Sequence, residues 1–356
     1  VNILIEKLRD EIIQIVDRID QRIEENEEIR SEPPENMSDL LSGDHYYVYS
    51  QENGFIQHMY EIKLANLAEE KGIIIRAEKM IGDYVTNNSK LFSIWPQTKD
   101  GDKDIAHNNE TISDSNKKHT DPIDSLEQND NEESIQQVDE PVYSSERDKS
   151  YNNENAEEDI NIYREEDDIR HKDLEIEEID DNEFLKYVVI DNERSKKNDI
   201  EFGLLKLTEV ALKAISPGIN DPNTAIFCIN QLGWVMSRIA VSSIENTYHF
   251  NGEGILRLII EDITFGELLY KTFFQICHYG SQDVSVAGSI LDALLIIAEG
   301  SSEEIKDQVW DFSNYVLGSF DKGVLQKEDK RFLNHKLARL ARETDKRKDY
   351  EYFQLN

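Results

Sequence analysis

The sequence predicts an α+β protein, with a small β-rich module followed by a mainly α-helical domain and a disordered acidic insert between them. Three observations carry this. Between His45 and Pro96, short β-branched and aromatic runs alternate with Gly and Asn turns. Beyond residue 184, most apolar residues recur at spacings of three and four. Between these two regions, residues 97–183 hold 30 Asp and Glu against 9 Lys and Arg. That stretch lacks a sustained apolar period, so it cannot bury enough surface to offset the entropy of ordering. The expected boundaries are a helix and loop over 1–43, the β-rich module with one helix over 44–96, and the insert over 97–183. The mainly helical domain covers 184–346, and a tail covers 347–356.

Taken in order, residues 3–26 read as one helix, with Ile5, Leu8, Ile12, Ile15 and Ile19 on one face. Pro33-Pro34 marks a loop over 31–43. Tyr46–Tyr49 and Phe55–Met59 are strands around Glu52-Asn53-Gly54, and Tyr60–Lys71 is a helix. Ile73–Met80 and Tyr84–Ile94 are strands around Gly82-Asp83. That second hairpin resembles half of a biotinyl or lipoyl barrel, and Glu78-Lys79-Met80 echoes the lysine motif of such domains. Lys79 directly precedes the Gly-Asp turn instead of topping a hairpin away from it, so attachment there is rejected and no cofactor is expected. Tyr187–Ile190 is a short strand or buried turn, and Ile255–Ile260 suggests a hairpin beside the helices. Three further helices start near Phe265, Val284 and Ile305, and a last one covers 328–347. The last carries Arg331, Lys336, Arg339, Arg342, Lys346 and Arg347. Its basic face suits anionic headgroups, the acidic insert, or solvent alone.

The chain is organised around the joint Ser216–Ala225. The helix before it places Leu204, Leu207, Ala211, Ala214 and Ile215 on one face. Pro217-Gly218 ends that helix, because proline pushes its predecessor out of the helical region and glycine permits a positive φ. Asp221 then caps the next helix and Pro222 occupies its first turn. Ala225, Ile229, Leu232, Met236 and Ile239 form the apolar stripe that follows. A structural role is available for every polar residue here. The alternative is a ligand site in which Asn220, Asp221 and Thr224 converge at the helix N-terminus.

The run Ala211–Ile226 resembles the signature of an uncharacterised bacterial family, domain of unknown function 2254, a predicted membrane protein. Glu193-Arg194-Ser195 with Asn198-Asp199, Ile276–Gly280, Gly54–Gln57 and Gly82–Val85 resemble further segments of it. Ser195 and Asn198 stand where the family has Thr and Gln. The resemblance covers about two-thirds of the chain and skips 97–183. It implies an N-terminal bundle of about four transmembrane helices, each needing roughly 20 apolar residues. No stretch of this chain has such a run. The sequence therefore reads as the soluble remainder of a membrane protein, and residues 1–43 as a juxtamembrane helix and loop. The expected location is the cell membrane, with the soluble part in the cytoplasm. The expected partners are the transmembrane bundle and the membrane. The first helix could also pair with a second copy as a homo-oligomer or pack on its own domain.

The net charge of −35 opposes nucleic-acid binding, since phosphate contacts require Lys and Arg. Cys228 and Cys277 lie far apart in helical patterns, which suits a reducing compartment better than a disulfide framework. Phosphate loops, nucleophile elbows and His-Glu-x-x-His or Cys-x-x-Cys motifs are missing. What remains is a polar constellation of Glu193, Arg194, Asp199, Asn220, Asp221 and Thr224. The helix between Asp199 and Asp221 is about 16 residues, roughly 24 Å, so the two ends form separate clusters. Arg194 is expected to pair locally with Asp199 or Glu193. The leading expectation is a non-enzymatic region with a sensing, regulatory or assembly role. The cytoplasmic part of a transporter or channel is the alternative, and a hydrolase with a metal on Asn220 and Asp221 the weakest.

Overall fold

The computed structural model describes residues 1–97, 180–242, 246–319 and 325–347, and these belong to one compact unit. The expected insert falls outside the described residues except at its two ends, and the expected tail outside them except for Arg347.

The first helix, α1 (Asn2–Glu25), buries Ile5, Ile12, Ile15 and Val16. This is the face its apolar spacing marks. A two-residue strand β1 (Ile29–Arg30) and a single helical turn α2 (Met37–Leu40) follow. The module then runs β2 (Tyr46–Tyr49), β3 (Gly54–Met59), α3 (Glu61–Lys71), β4 (Ile73–Ala77), β5 (Tyr84–Val85) and β6 (Lys90–Pro96). The strand expected over 84–94 is two strands in two different sheets. Thr86 and Ser89 close a turn between them, with the Ser89 amide donating to the Thr86 carbonyl at 2.9 Å. The strand expected over 73–80 stops at Ala77, where the chain turns into the Gly82-Asp83 bend.

Beyond the insert come one helical turn, α4 (Asn182–Leu185), and β7 (Val188–Asp191). Phe184 of α4 is fully buried, so the chain is already packed at a position assigned above to the insert's border. The central pair is α5 (Ile200–Ile215) and α6 (Pro222–Ile239). β8 (Asn246–Phe250) and β9 (Leu256–Glu261) form a hairpin. Four helices close the chain: α7 (Phe265–Tyr279), α8 (Val284–Ala298), α9 (Glu303–Gly318) and α10 (Lys327–Glu343).

The β8–β9 hairpin does not merely flank the helices. It lies inside a six-stranded sheet of order β1-β8-β9-β4-β6-β2. All its pairings are antiparallel except β4 with β9, where Ile75 faces Leu258 and Arg76 faces Ile259. Strands from 44–96 and from 246–261 thus share one sheet. A second sheet, β5-β3-β7, joins the two sides of the insert again through β3 and β7. One face of the large sheet is covered by α3 through Leu64, Leu67 and Ala68. Met37 and Leu40 of α2 pack against a smaller cluster around Ile74, Trp95 and Phe250.

The helical core is built around α8, which buries residues on almost every side and packs against α6, α9 and α10. A helix that is apolar all round must lie inside. The five stripe residues of α6 are all buried in this core. α1 lies against α5 and α6 within the same core, so its apolar face is occupied by its own chain. In α10, Lys336 and Arg339 pair with Asp292 and Arg331 with Glu328, and just beyond it Lys346 pairs with Asp307, so four of the six basic residues named above already have carboxylate partners.

Candidate functional site

A cavity of about 220 Å³ opens where α1, the start of α5 and the ends of β3, β8 and β9 meet. α1 contributes Ile15, Arg18, Ile19 and Arg22. Their spacing of three and four residues puts them on one helix face. His58 comes from β3, and Glu61 is the first residue of α3. Met80 and Ile81 enter from the bend before β5, and Asn198 to Glu201 from the start of α5. Thr247, Ile260, Asp262, Ile263 and Leu268 complete the wall.

The start of α5 is fixed by an ion pair. Arg194 Nε donates to Asp199 Oδ2 at 2.6 Å and its Nη2 to Oδ1 at 3.1 Å. Asp199 also accepts from the Phe202 amide at 2.8 Å, as an N-cap does. Its side chain is only 2 % exposed. Burial raises its carboxyl above the ordinary value, outweighing the Arg194 fork and the Phe202 amide, which lower it. Gly82 passes directly over this pair. Its φ is +96°, and a Cβ there would lie 2.3 Å from Asp199 Oδ2 and 2.7 Å from Arg194 Nη2.

Across the cavity, Arg22 Nη1 meets Glu61 Oε2 at 2.9 Å and His249 Nε2 meets the same oxygen at 3.2 Å. Burial works to raise the Glu61 carboxyl, but the His249 hydrogen bond and Arg22 hold it below the ordinary value. Arg22 Nε is buried with no acceptor. His58 lies 3.4 Å from Asn198 Nδ2 through its Nδ1. Burial, with Arg22 and Lys197, lowers the His58 ring below its ordinary value against the opposing effect of Glu61.

Asp262 is the exception among the acids. It sits in the three-residue link between β9 and α7, whose start is held by a Thr264–Glu267 capping box. Its Oδ1 accepts from the adjacent Ile263 amide at 2.8 Å. Asp262 is an exposed residue of the cavity wall, so solvent screens part of what its neighbours do to it. Against that screening, the protein wall beside it, reinforced by Glu61, Asp199 and Asp83 and opposed by the Ile263 amide, pushes its carboxyl up to about 7.

Of the residues singled out from sequence, Arg194 and Asp199 are brought together, with Asp199 in the cavity wall. Glu193 is exposed, and only its carbonyl is engaged, by Gln57 Nε2 at 2.7 Å. Asn220, Asp221 and Thr224 lie at the other end of the 16-residue α5 and outside the cavity. Asp221 caps α6, taking the Thr224 amide at 3.1 Å and the Thr224 hydroxyl at 2.6 Å. These bonds hold its carboxyl below the ordinary value. Both of its oxygens are thereby engaged, as the structural reading of the joint requires. Asn220 has φ +49°, the left-handed conformation that asparagine tolerates. Asn220→Gly is expected to leave stability unchanged or slightly raised, and Asn220→Val to lower it by about 1–2 kcal/mol. Urea unfolding of the two variants measures the difference. Sequence reasoning missed Arg18, Arg22, His58, Glu61 and Asp262. The only signal for them was the polar pair Arg18 and Arg22 on the cavity side of an otherwise apolar helix face.

Among the described residues, no group of three or more His, Cys, Asp or Glu side chains is disposed to hold a metal ion. Nor is any described helix long and apolar enough to cross a membrane. A comparison with curated proteins finds uncharacterised relatives in Mycobacterium bovis (Mb1321c) and Mycobacterium tuberculosis (MT1328 and Rv1290c). Each is 33 % identical over 115 residues, a stretch that is 32 % of this chain and 22 % of the relative. The matched part therefore spans less than a quarter of these relatives' length. No solved structure matches. The family described as "Predicted membrane protein (DUF2254)" matches residues 1–128 and 160–295. With most of its length matched on both sides of the acidic stretch, the chain belongs to the domain of unknown function 2254 family of predicted membrane proteins.

Proposed function

We propose that this chain is a non-enzymatic, ligand-sensing region of a membrane protein, in which occupancy of the α1 cavity is passed to the membrane part through α1. The observation that carries the reading is that α1 forms one wall of the cavity while the sheet, α5 and α7 form the others. A ligand touching both walls would bind unequally to arrangements of the chain that differ in where α1 lies, and unequal binding is what a ligand needs in order to shift an equilibrium. The hold on α1 suits such a shift. Beyond its apolar face, α1 is fastened by Arg238 to Asp17 and Asp20 at 2.9 and 2.6 Å, by Arg22 to Glu61, and by Lys196 to Glu11. The Arg238–Asp17 and Lys196–Glu11 pairs are partly exposed, and such pairs contribute little each and exchange readily, whereas Glu61 is largely buried. The partners in this reading are the family's membrane bundle and the bilayer, with the region on the cytoplasmic side. The buried free thiols Cys228 and Cys277 support a reducing compartment.

Hydrogen exchange on the intact protein in lipid nanodiscs tests this. A low-molecular-weight metabolite fraction is expected to slow exchange at 15–22 and 198–201 together, and farther along α1. Protection at 198–201 with α1 unchanged would refute transmission through α1. Turnover of any component of the fraction, lost in Asp262→Asn with the fold retained, would show the region to be an enzyme instead.

A further inference from the structure

We infer that the cavity takes a small protonated amine with an apolar body, its ammonium group set against the carboxylate of Asp262. This rests on the ligand-sensing reading above and specifies its ligand. Size comes first. A cavity of about 150 Å³ lined by apolar residues holds benzene, so about 220 Å³ suits a molecule of a ring plus a short polar arm. Ile19, Met80, Ile81 and Ile263 offer the apolar surface such a ring needs.

The sign of the charge follows from which groups are already engaged. Four carboxylates line the cavity: Glu61, Asp199, Glu201 and Asp262. Glu61 has Arg22 and Asp199 has Arg194. Glu201 has Arg194 at 3.4 Å and Lys271 at 3.3 Å. Asp262 has the amide of its own neighbour and no cation. The two arginines of the α1 wall are no better placed to receive an anion. Arg18 donates to the carbonyls of Gln14 and Lys197. Arg22 has Nη1 on Glu61 and Nε buried, which leaves no open fork for a carboxylate or phosphate. An anion would therefore meet repulsion, and a neutral molecule would gain no charge pairing. An ammonium would pair with the one cavity carboxylate that has no cation and is crowded by like charges.

Binding should also depend on pH. Glu61 from α3, Asp199 from α5 and Asp83 from the bend before β5 act on Asp262, and His58 from β3, Glu201 from α5 and Arg18 and Arg22 from α1 are the other titratable or charged groups of the cavity. With its carboxyl pushed up to about 7, Asp262 must give up a proton to pair with the amine. Affinity is then expected to rise as pH increases through that value and to level off above it.

The test uses the whole 356-residue chain with ¹³C-methyl-labelled methionine, since Met80 lines the cavity and Met37, Met59 and Met236 do not. The probes are benzylamine, benzyl alcohol and benzoate, which share a ring and differ in charge. Benzylamine is expected to move the Met80 signal at a concentration at least about tenfold below that needed by benzyl alcohol, a gap of ~1.4 kcal/mol. Asp262→Asn should remove that advantage while the other three methyl signals keep their positions, which reports an intact fold. Asp262→Glu should retain part of it, and Asp221→Ala, outside the cavity, all of it. Equal or tighter binding of benzoate or benzyl alcohol would overturn the amine while leaving a ligand cavity in place. If none of the three moves Met80, the cavity is not a ligand site and both readings fall.

Discussion

Arg194→Met is expected to lower the free energy of unfolding by about 3–5 kcal/mol, the cost typical of removing one partner from a buried ion pair. The loss of a favourable contact is the smaller part of this. The larger part is that Asp199, with a side chain 2 % exposed, is left as a buried charge without its cation. The Phe202 amide is the one hydrogen-bond donor it would keep. The pH dependence distinguishes this cause from lost packing. Burial already raises Asp199, and Arg194 is the main influence lowering it. Without Arg194 the folded state binds the Asp199 proton more tightly than the unfolded chain does. Lowering the pH then favours the folded variant, so its deficit against the parent should narrow as the pH falls from neutral toward the ordinary aspartate value. Urea denaturation across that range measures it, and a deficit that stays constant would assign the loss to packing. Gly82→Ala should damage the same place from the other side, because its Cβ would enter the space of both partners. Asp199 belongs to the cavity wall, so both variants should weaken cavity binding as well as stability.

Gly233→Leu should cost about 3 kcal/mol or more, or prevent folding altogether. α6 and α8 make the most extensive helix contact in the core. They are in close contact at Gly233, since a Cβ there would lie 2.8 Å from the Ala293 Cβ and 3.0 Å from its Cα. Backbone cannot step aside as a flexible side chain can, so a branched residue must force the helices apart. Overpacking typically costs about 1–3 kcal/mol, and this site has no slack. Gly233→Ala should cost less, because about 1 kcal/mol of helix propensity is regained. Adding Ala293→Gly to that variant should recover most of the remaining loss, since it empties the space the new methyl occupies. A double-mutant cycle by thermal or urea unfolding measures the coupling, and strict additivity would show that the two residues do not compete.

Much of the helical architecture was legible because its signals are local. Asp221 is a cap that can be read from a polar residue before an apolar period, and its carboxylate accepts from the first turn as the sequence promised; Asp199 accepts from the Phe202 amide in the same way. The stripe from Ala225 to Ile239 is buried as its spacing requires. The β structure was legible as strands but not as sheets. Nothing near Ile75 announces a partner at Leu258, because a parallel pairing leaves no turn between the strands to recognise. The cavity was hidden for the same reason. Arg22, Glu61, Asp199 and Asp262 come from four distant segments, and a lone aspartate after a strand looks like any other in an acidic chain. The joint at Asn220 and Asp221 drew attention because its sequence is unusual, yet that sequence is accounted for by a tight turn and a cap.

The strand order of the large sheet has a consequence for how the protein is made. β9 lies between β8 and β4, so the first 97 residues hold strands for both sides of a sheet whose middle is encoded some 150 positions later. A ribosome delivering this chain from the N-terminus exposes the unpaired edge of β4 until Glu261 has emerged, and α1 waits for α6 until Ile239 has. Unpaired edges recruit other strands, so the interval of translation between β6 and β9 is the period when a nascent chain most needs protection. The same arrangement means that residues 1–97 and 180–347, produced as separate polypeptides, should each be poorly soluble and should recover a common fold when synthesised together.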